Sequence, residues 1–236
     1  MWRPCYLLLL VLYLSSANQK GYRYDLRNIT SREDFGKMLN ERKFTTGAEL
    51  GVQKGLFSKI ILESWTSCTK YYLIDSWRHT DGYSDTANVD DQSQLHLLDS
   101  AKKLLSPWAQ KTIFLRNYTN DAASLIPDNS LDFVYVDARH DYCGVLEDVI
   151  RWWPKLKEKG IMAGHDYLTG YQQLKLRGSY SDKDDWTICY DGKTINEGAV
   201  RGAVDEYAKN NSLLVFQTKK DTYNSWIYTP KKRRDV

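Results

Sequence analysis

The 236-residue chain has no C-x-x-C, no paired Cys/His spacing and no complete G-x-G-x-x-G turn. The first two absences argue against a structural zinc site, and the third weighs against a nicotinamide-dependent oxidoreductase. An excess of one charge is missing too. The formal net charge is +3, part of it in the tail Lys231–Arg234, so nothing marks a broad nucleic-acid surface. No internal repeat or low-complexity segment interrupts the chain. The apolar run Tyr6–Leu14 is too short to span a bilayer comfortably. With small residues at Ser15, Ser16 and Ala17 it fits a secretory signal peptide over residues 1–17, a retained N-terminal membrane anchor being the alternative.

Cysteine is scarce as well. Cleavage after about Ala17 removes Cys5 and leaves Cys68, Cys143 and Cys189, an odd number. In an oxidising compartment this allows one disulfide and one free thiol, with Cys143–Cys189 the preferred pair. Sequons at Asn28, Asn117 and Asn210 agree with a secretory route, whether secreted or retained in the endoplasmic reticulum lumen.

What is present is ordinary for a globular protein: 42% hydrophobic and 27% charged residues, enough for a single domain over 18–230 with a basic tail at 231–236. Eight Trp and 17 Tyr fill a core or line a site for flat organic ligands. A capping-box-like Ser31-Arg-Glu-Asp34 opens a helix to Glu41. Strands are expected near 47–51, 71–75, 112–116, 131–136, 161–164, 213–217 and 225–229. Helices are expected over 55–64, 95–105, 142–156 and 197–210, with a short one through Leu125. Lys159-Gly160 reads as the end of the 142–156 helix. The polar segments 76–94 and 168–197 read as an active-site loop and an irregular cap. The alternation gives an α/β fold with a mainly parallel sheet and helices on both faces.

Three strands end in chemistry. Leu131-Asp-Phe-Val-Tyr-Val-Asp137 leads to His140, Asp141 and Tyr142, and Ile161-Met-Ala-Gly164 leads to His165, Asp166 and Tyr167. Continuous apolar runs are buried parallel strands, and such sheets place ligands outside the strands' carboxyl ends. Tyr71-Tyr-Leu-Ile-Asp75 ends likewise. Before it, Thr46-Gly-Ala-Glu49-Leu-Gly51-Val-Gln-Lys-Gly55 reads as a strand, a glycine turn and a helix start. Gly51 permits a tight turn and close approach of a ligand, and Gly55 permits close packing of the helix start. An acid ending the second strand suits the hydroxyls of a ribose; a solvated strand-end acid is the alternative for Asp75.

These motifs, V-D-x-x-H-x-Y followed by G-x-x-x-G-H-D-Y, resemble those of the class I S-adenosylmethionine-dependent methyltransferases. The closer resemblance is to the small-molecule O-methyltransferase branch (methyltransferase family 24-like), over roughly residues 30–229. It implies a Rossmann-like fold with a seven-stranded sheet whose terminal strand is antiparallel. It implies S-adenosylmethionine as cofactor, held by Glu49, Gly51, Gly55, Asp75, Ser76, Trp77, Asn120, Asp121 and Asp137. Trp77 is a candidate to stack on adenine or to fill the core, and Asn120 and Asp121 to meet the adenine edge or make an Asx turn. Asp137 would lie beside the methyl donor. Together with Asp166 it suits a hard divalent ion such as Mg²⁺, or both are structural acids without a metal. His165 orients Asp166 or the substrate in this reading. His140, three residues after Asp137, stands at the offset of the family's general base and titrates near neutrality; an exposed loop histidine is the alternative. Arg139 is a candidate for an anionic substrate group or a solvated residue.

The leading expectation is a methyltransferase acting on a hydroxyl of a small-molecule or sugar-like acceptor, with His140 and Asp137 catalytic. Its rival from another class is a catalytically inactive secreted protein that keeps the fold and binds ligand. A nicotinamide-dependent oxidoreductase ranks last. The aromatics Tyr83, Tyr171, Tyr180, Trp186 and Tyr190 are the candidates for shaping the acceptor site.

Overall fold

The computed structural model describes residues 26–178 and 184–230. The expected signal segment 1–17 with Cys5, the cap residue Tyr180 and the tail 231–236 lie outside the described residues.

The strands are β1 (Thr46–Leu50), β2 (Lys70–Asp75), β3 (Thr112–Arg116), β4 (Leu131–Val136), β5 (Leu156–Gly164), β6 (Leu213–Gln217) and β7 (Trp226–Pro230). They form one sheet in the order β3-β2-β1-β4-β5-β7-β6. The first five are parallel, and β7 runs antiparallel to both β5 and β6. This is the expected class I methyltransferase architecture. All six residues of β4 are buried, as a central strand covered on both faces requires.

The helices are α1 (Asp34–Glu41), α2 (Leu56–Ser64), α3 (Asp91–Leu104), α4 (Thr119–Ala122), α5 (Tyr142–Trp152), α6 (Gly170–Arg177) and α7 (Ala199–Asn210). Alternate residues of β4 face different cores, the period-two consequence of the pleat. Val134 and Val136 pack with Val145, Val149 and Trp152 of α5 and Val204 of α7. Phe133 and Tyr135 pack with Phe35 of α1, Phe57 and Ile61 of α2, and Trp65. Among the described residues no helix is long and apolar enough to cross a membrane.

Several boundaries differ from expectation, each for a local reason. Ser31 does not cap α1. The Asp34 carboxylate instead accepts from the Thr30 and Ser31 backbone N–H at 2.7 and 3.0 Å, binding the chain ahead of the helix. α3 begins earlier than 95 because Asp90 caps it, accepting from the Ser93 N–H at 2.9 Å. α5 stops at Trp152, since Pro154 enforces a tighter 3₁₀ turn over Trp153–Lys155. Gly160 therefore ends no helix; it lies inside β5, where the register against β4 shifts between Leu131 and Phe133. The cap is less irregular than expected, with α6 opened by a full capping box between Thr169 and Gln172. Cys143 and Cys189 form the preferred disulfide, which ties the first turn of α5 to the cap, and Cys68 is a buried free thiol.

Candidate active site

A cavity of about 760 Å³ opens at the carboxyl ends of β1, β2, β4 and β5, within the usual size for a small-molecule site. Its first wall is the glycine turn. Gly51 has φ +85°, and a Cβ there would lie 1.9 Å from the Asp137 carbonyl oxygen, so the close approach it permits is that of the β4 end. Asp75 organises the same turn: its carboxylate accepts from the N–H groups of Val52, Gln53 and Trp77 at 3.0, 2.8 and 2.8 Å. Burial raises its pKa, and the three backbone donors oppose that rise. Glu49 is sealed beneath the turn, accepting from the Ser58 hydroxyl at 2.7 Å and the Tyr71 hydroxyl at 2.9 Å. Burial pushes its pKa up to about 8, against those two hydrogen bonds.

The ends of β4 and β5 supply the second wall. His140 Nε2 lies 3.1 Å from Asp166 Oδ2 and 3.9 Å from Asp137 Oδ1. One ligand atom from each of these three residues falls within 4.8 Å of the others. Two carboxylates and an imidazole nitrogen at this spacing fit a divalent cation such as Mn²⁺ or Mg²⁺ completed by waters or acceptor oxygens. The arrangement revises the expected division of labour, because His140 stands among the ligand atoms rather than apart from them. Asp166, just past the end of β5, has φ +55°, in the left-handed backbone region. His165 orients it, with Nδ1 3.1 Å from Asp166 Oδ2.

His140 is held on every side. Nδ1 meets Asp85 Oδ2 at 2.7 Å, the backbone N–H donates to the Tyr83 hydroxyl, and the ring stacks on Trp186 with centroids 4.5 Å apart. Burial lowers its pKa, but the surrounding groups Tyr83, Asp85, Asp166 and Asp137 overcome this and raise it well above the ordinary value. Despite its burial, the Asp166 carboxyl is held far below the usual range by the imidazoles of His140 and His165.

A family model described as a methyltransferase domain matches residues 48–167, which run from within β1 to just past β5 and contain every strand-end acid above. The chain belongs to this methyltransferase family. Three solved structures show the same fold. A Corynebacterium glutamicum protein is 15% identical with a TM-score of 0.57, over 86% of this chain and 80% of its own. An SAH-bound Podospora anserina methyltransferase is 10% identical with a TM-score of 0.56, over 84% and 76%. A Bacillus cereus O-methyltransferase in complex with SAH is 11% identical with a TM-score of 0.55, over 84% and 78%. No curated protein matches this chain by sequence.

The remaining expected residues divide. Ser76, Asn120 and Asp121 line the cavity beside Glu49, Gly51, Asp75 and Asp137. Two others do not. The Trp77 ring is fully buried, donates from Nε1 to the Gln53 carbonyl and packs on Phe114, so it fills the core and has no face free for adenine. Gly55 caps α2 with φ +79° and faces Ala101 and Leu105, so its role is helix packing rather than ligand contact. Tyr83, Trp186 and Tyr190 line the cavity, whereas Tyr171 is solvent-exposed on α6. Arg139 is engaged by Glu147 at 2.7 Å.

Sequence reasoning misses Arg32 and Asp85. Arg32 precedes α1, yet Nη2 lies 3.2 Å from Asp137 Oδ2 and Nη1 3.2 Å from His165 Nε2. A guanidinium only donates, so His165 Nε2 is the acceptor in this contact and Nδ1 carries the proton toward Asp166; Asp137 and Asp166 raise the pKa of the ring against burial. Asp85 is one of many acids in a polar loop, and only its burial distinguishes it.

Proposed function

We propose that this protein transfers the methyl group of S-adenosylmethionine to a hydroxyl of a small-molecule acceptor. The observation that carries the reading is the convergence of Asp137, His140 and Asp166 in the cavity that Glu49, Gly51 and Asp75 also line, within a methyltransferase-family domain. In the reaction the acceptor oxygen attacks the methyl carbon, the carbon–sulfur bond breaks, and S-adenosylhomocysteine leaves. His140 Nε2 takes the hydroxyl proton. That step needs a neutral ring, which Asp85, Asp137 and Asp166 oppose while their charges are uncompensated. A divalent cation held by Asp137 and Asp166, with His140 adjoining, would supply the positive charge that lowers the pKa of both the hydroxyl and the imidazole. Asp75 and the glycine turn hold the cofactor's ribose side, with Asn120 and Asp121 at the adenine edge. Tyr83, Trp186 and Tyr190 favour a planar or sugar-like acceptor, since each offers a flat apolar face with a polar edge.

One observation favours the rival reading, a ligand-binding protein without catalysis: both His140 nitrogens already meet carboxylates. Calorimetric titration with S-adenosylhomocysteine and NAD side by side, followed by methyl transfer from labelled donor to a panel of hydroxyl acceptors, separates the alternatives. Binding of S-adenosylhomocysteine without turnover supports the rival, and binding of NAD alone removes both. We place the protein in the secretory pathway, a reading supported by the segment 1–17 and by the Cys143–Cys189 disulfide. N-terminal sequencing of protein recovered from the medium of expressing cells tests it.

A further inference from the structure

We propose that Arg32 is an internal counter-cation that shares Asp137 with the divalent cation and so lowers the cation affinity of the site. The inference rests on the reading of Asp137 and Asp166 as cation ligands. Arg32 lies outside residues 48–167, the span matched by the methyltransferase family model.

Its delivery is built into the fold. The Arg32 backbone N–H donates to Asp221 Oδ2 at 3.0 Å across 189 positions, and Asp221 is fixed by the Thr218 hydroxyl at 2.7 Å. The N–H groups of Lys219 and Lys220 both donate to the Thr30 carbonyl. The β6–β7 connection thus clasps the segment ahead of α1. The guanidinium then lies over the Phe57 ring, 4.4 Å from its centroid, with Nε sealed and without a partner among the described residues. Packing against the Phe57 and Tyr135 rings holds the guanidinium, while about a quarter of the side chain stays exposed.

Asp137 is consequently divided. Oδ2 accepts from Arg32, while Oδ1 faces His140 Nε2 at 3.9 Å and His165 Nδ1 at 3.7 Å. An oxygen neutralised by a guanidinium is a poorer cation ligand, and the fixed positive charge repels the arriving ion across a few ångströms of partly dry protein. Arg32 compensates the negative charge of Asp137, one of the two carboxylates that would hold the cation, and its removal frees that charge. The same contact keeps Asp137 in place when no cation is bound.

The test is calorimetric titration of Mn²⁺ into the full chain, with S-adenosylhomocysteine present, for wild type, Arg32→Met, Arg32→Lys and Asp137→Asn. Met keeps the packing over Phe57 and removes the charge. The expected result is Mn²⁺ binding at least about tenfold tighter in Arg32→Met, unchanged within about threefold in Arg32→Lys, and lost in Asp137→Asn. Tightening is diagnostic, because structural damage weakens binding. If Arg32→Met does not fold, Asp221→Ala unclasps the segment from a distance and shifts the affinity in the same direction. Equal or weaker Mn²⁺ binding in the folded Arg32→Met protein overturns the inference while the cation reading stands. Loss of S-adenosylhomocysteine binding without tighter Mn²⁺ binding overturns it too, and assigns Arg32 to the cofactor. Asp137→Asn binding Mn²⁺ like wild type, or no binding by either, overturns the cation reading and the inference with it.

Discussion

Asp85, on the loop after β2, grips His140 Nδ1 at 2.7 Å from 55 positions earlier in the chain. The contact makes His140 part of a buried charged row, Asp85–His140–Asp166, with Trp186 covering one ring face. It also links the loop expected to form an active-site wall to the residue expected to act as base.

Asp85→Asn is predicted to lower the His140 pKa, because it removes one of the negative charges that raise it. A histidine raised in the fold gives stability that is complete below its unfolded pKa of about 6.5 and is lost as pH rises through the folded value. The variant should therefore show a flatter loss of melting temperature above that point. The imidazole resonance of His140, followed by NMR against pH, reports the shift directly. An unmoved midpoint removes Asp85 from control of the ring.

Asp75→Ala is predicted to weaken S-adenosylhomocysteine binding by about 1.5–3 kcal/mol, the range for losing a charged hydrogen-bonding partner. Part of that loss is indirect, since the carboxylate holds the N–H groups of Val52, Gln53 and Trp77. Melting temperature should fall alongside affinity. Gly51→Val should destabilise by more than about 3 kcal/mol, since any Cβ strikes the Asp137 carbonyl and φ there is positive. Calorimetry and thermal unfolding check both; wild-type affinity in a folded Asp75→Ala protein takes Asp75 out of the pocket.

The strand ends are legible in the sequence and their company is not. Asp75, Asp137 and Asp166 terminate apolar runs, and a parallel sheet brings such termini to one rim whatever the loops do. Glu49 and Gly51 follow from the same logic. Trp77 and Gly55 lie one or two residues from true cavity residues, and a spacing argument cannot tell which side of a turn a side chain takes. Arg32 and Asp85 depend on contacts far along the chain, with Asp221 and with His140, that leave no local pattern. The boundary of α5 is readable from Pro154, a stronger signal than Gly160.

Asp148 carries a pH prediction away from the cavity floor. Its carboxyl is fully buried beneath Thr119, accepts that hydroxyl at 2.5 Å, and leaves Oδ2 without a partner among the described residues. Burial pushes its pKa up to about 7. A carboxyl raised in the fold stabilises the protein fully below its unfolded pKa of about 4, and this contribution is lost as pH climbs to the folded value. Asp148→Asn keeps the hydroxyl contact and removes the titration. The variant should be more stable than wild type at pH 8 by on the order of 3 kcal/mol, and the gap should close toward pH 4. Denaturant unfolding at the two pH values decides it, and a gap independent of pH would mean that Asp148 is ionised in the fold.

His140→Ala tests the chemistry itself. If His140 takes the acceptor proton, the variant should lose about 10²–10⁴-fold in turnover, the usual contribution of a positioned base. Affinity for S-adenosylhomocysteine should hardly change, since the ring faces Asp166 and Trp186 rather than the glycine turn. Its wild-type rate should fall on the acid side, where the imidazole holds a proton that Asp85, Asp137 and Asp166 help it keep. Removing the ring should erase that acid limb, and added imidazole should restore part of the rate if the ring's own space admits it. Mn²⁺ affinity separates the two roles that the geometry allows His140. A ligand's loss weakens Mn²⁺ binding and turnover together, whereas a base's loss lowers turnover with saturating Mn²⁺ still bound. Near-normal turnover with an authenticated acceptor would leave His140 as a brace between the loop of Asp85 and the strand end of Asp166, and the proton would then leave through water.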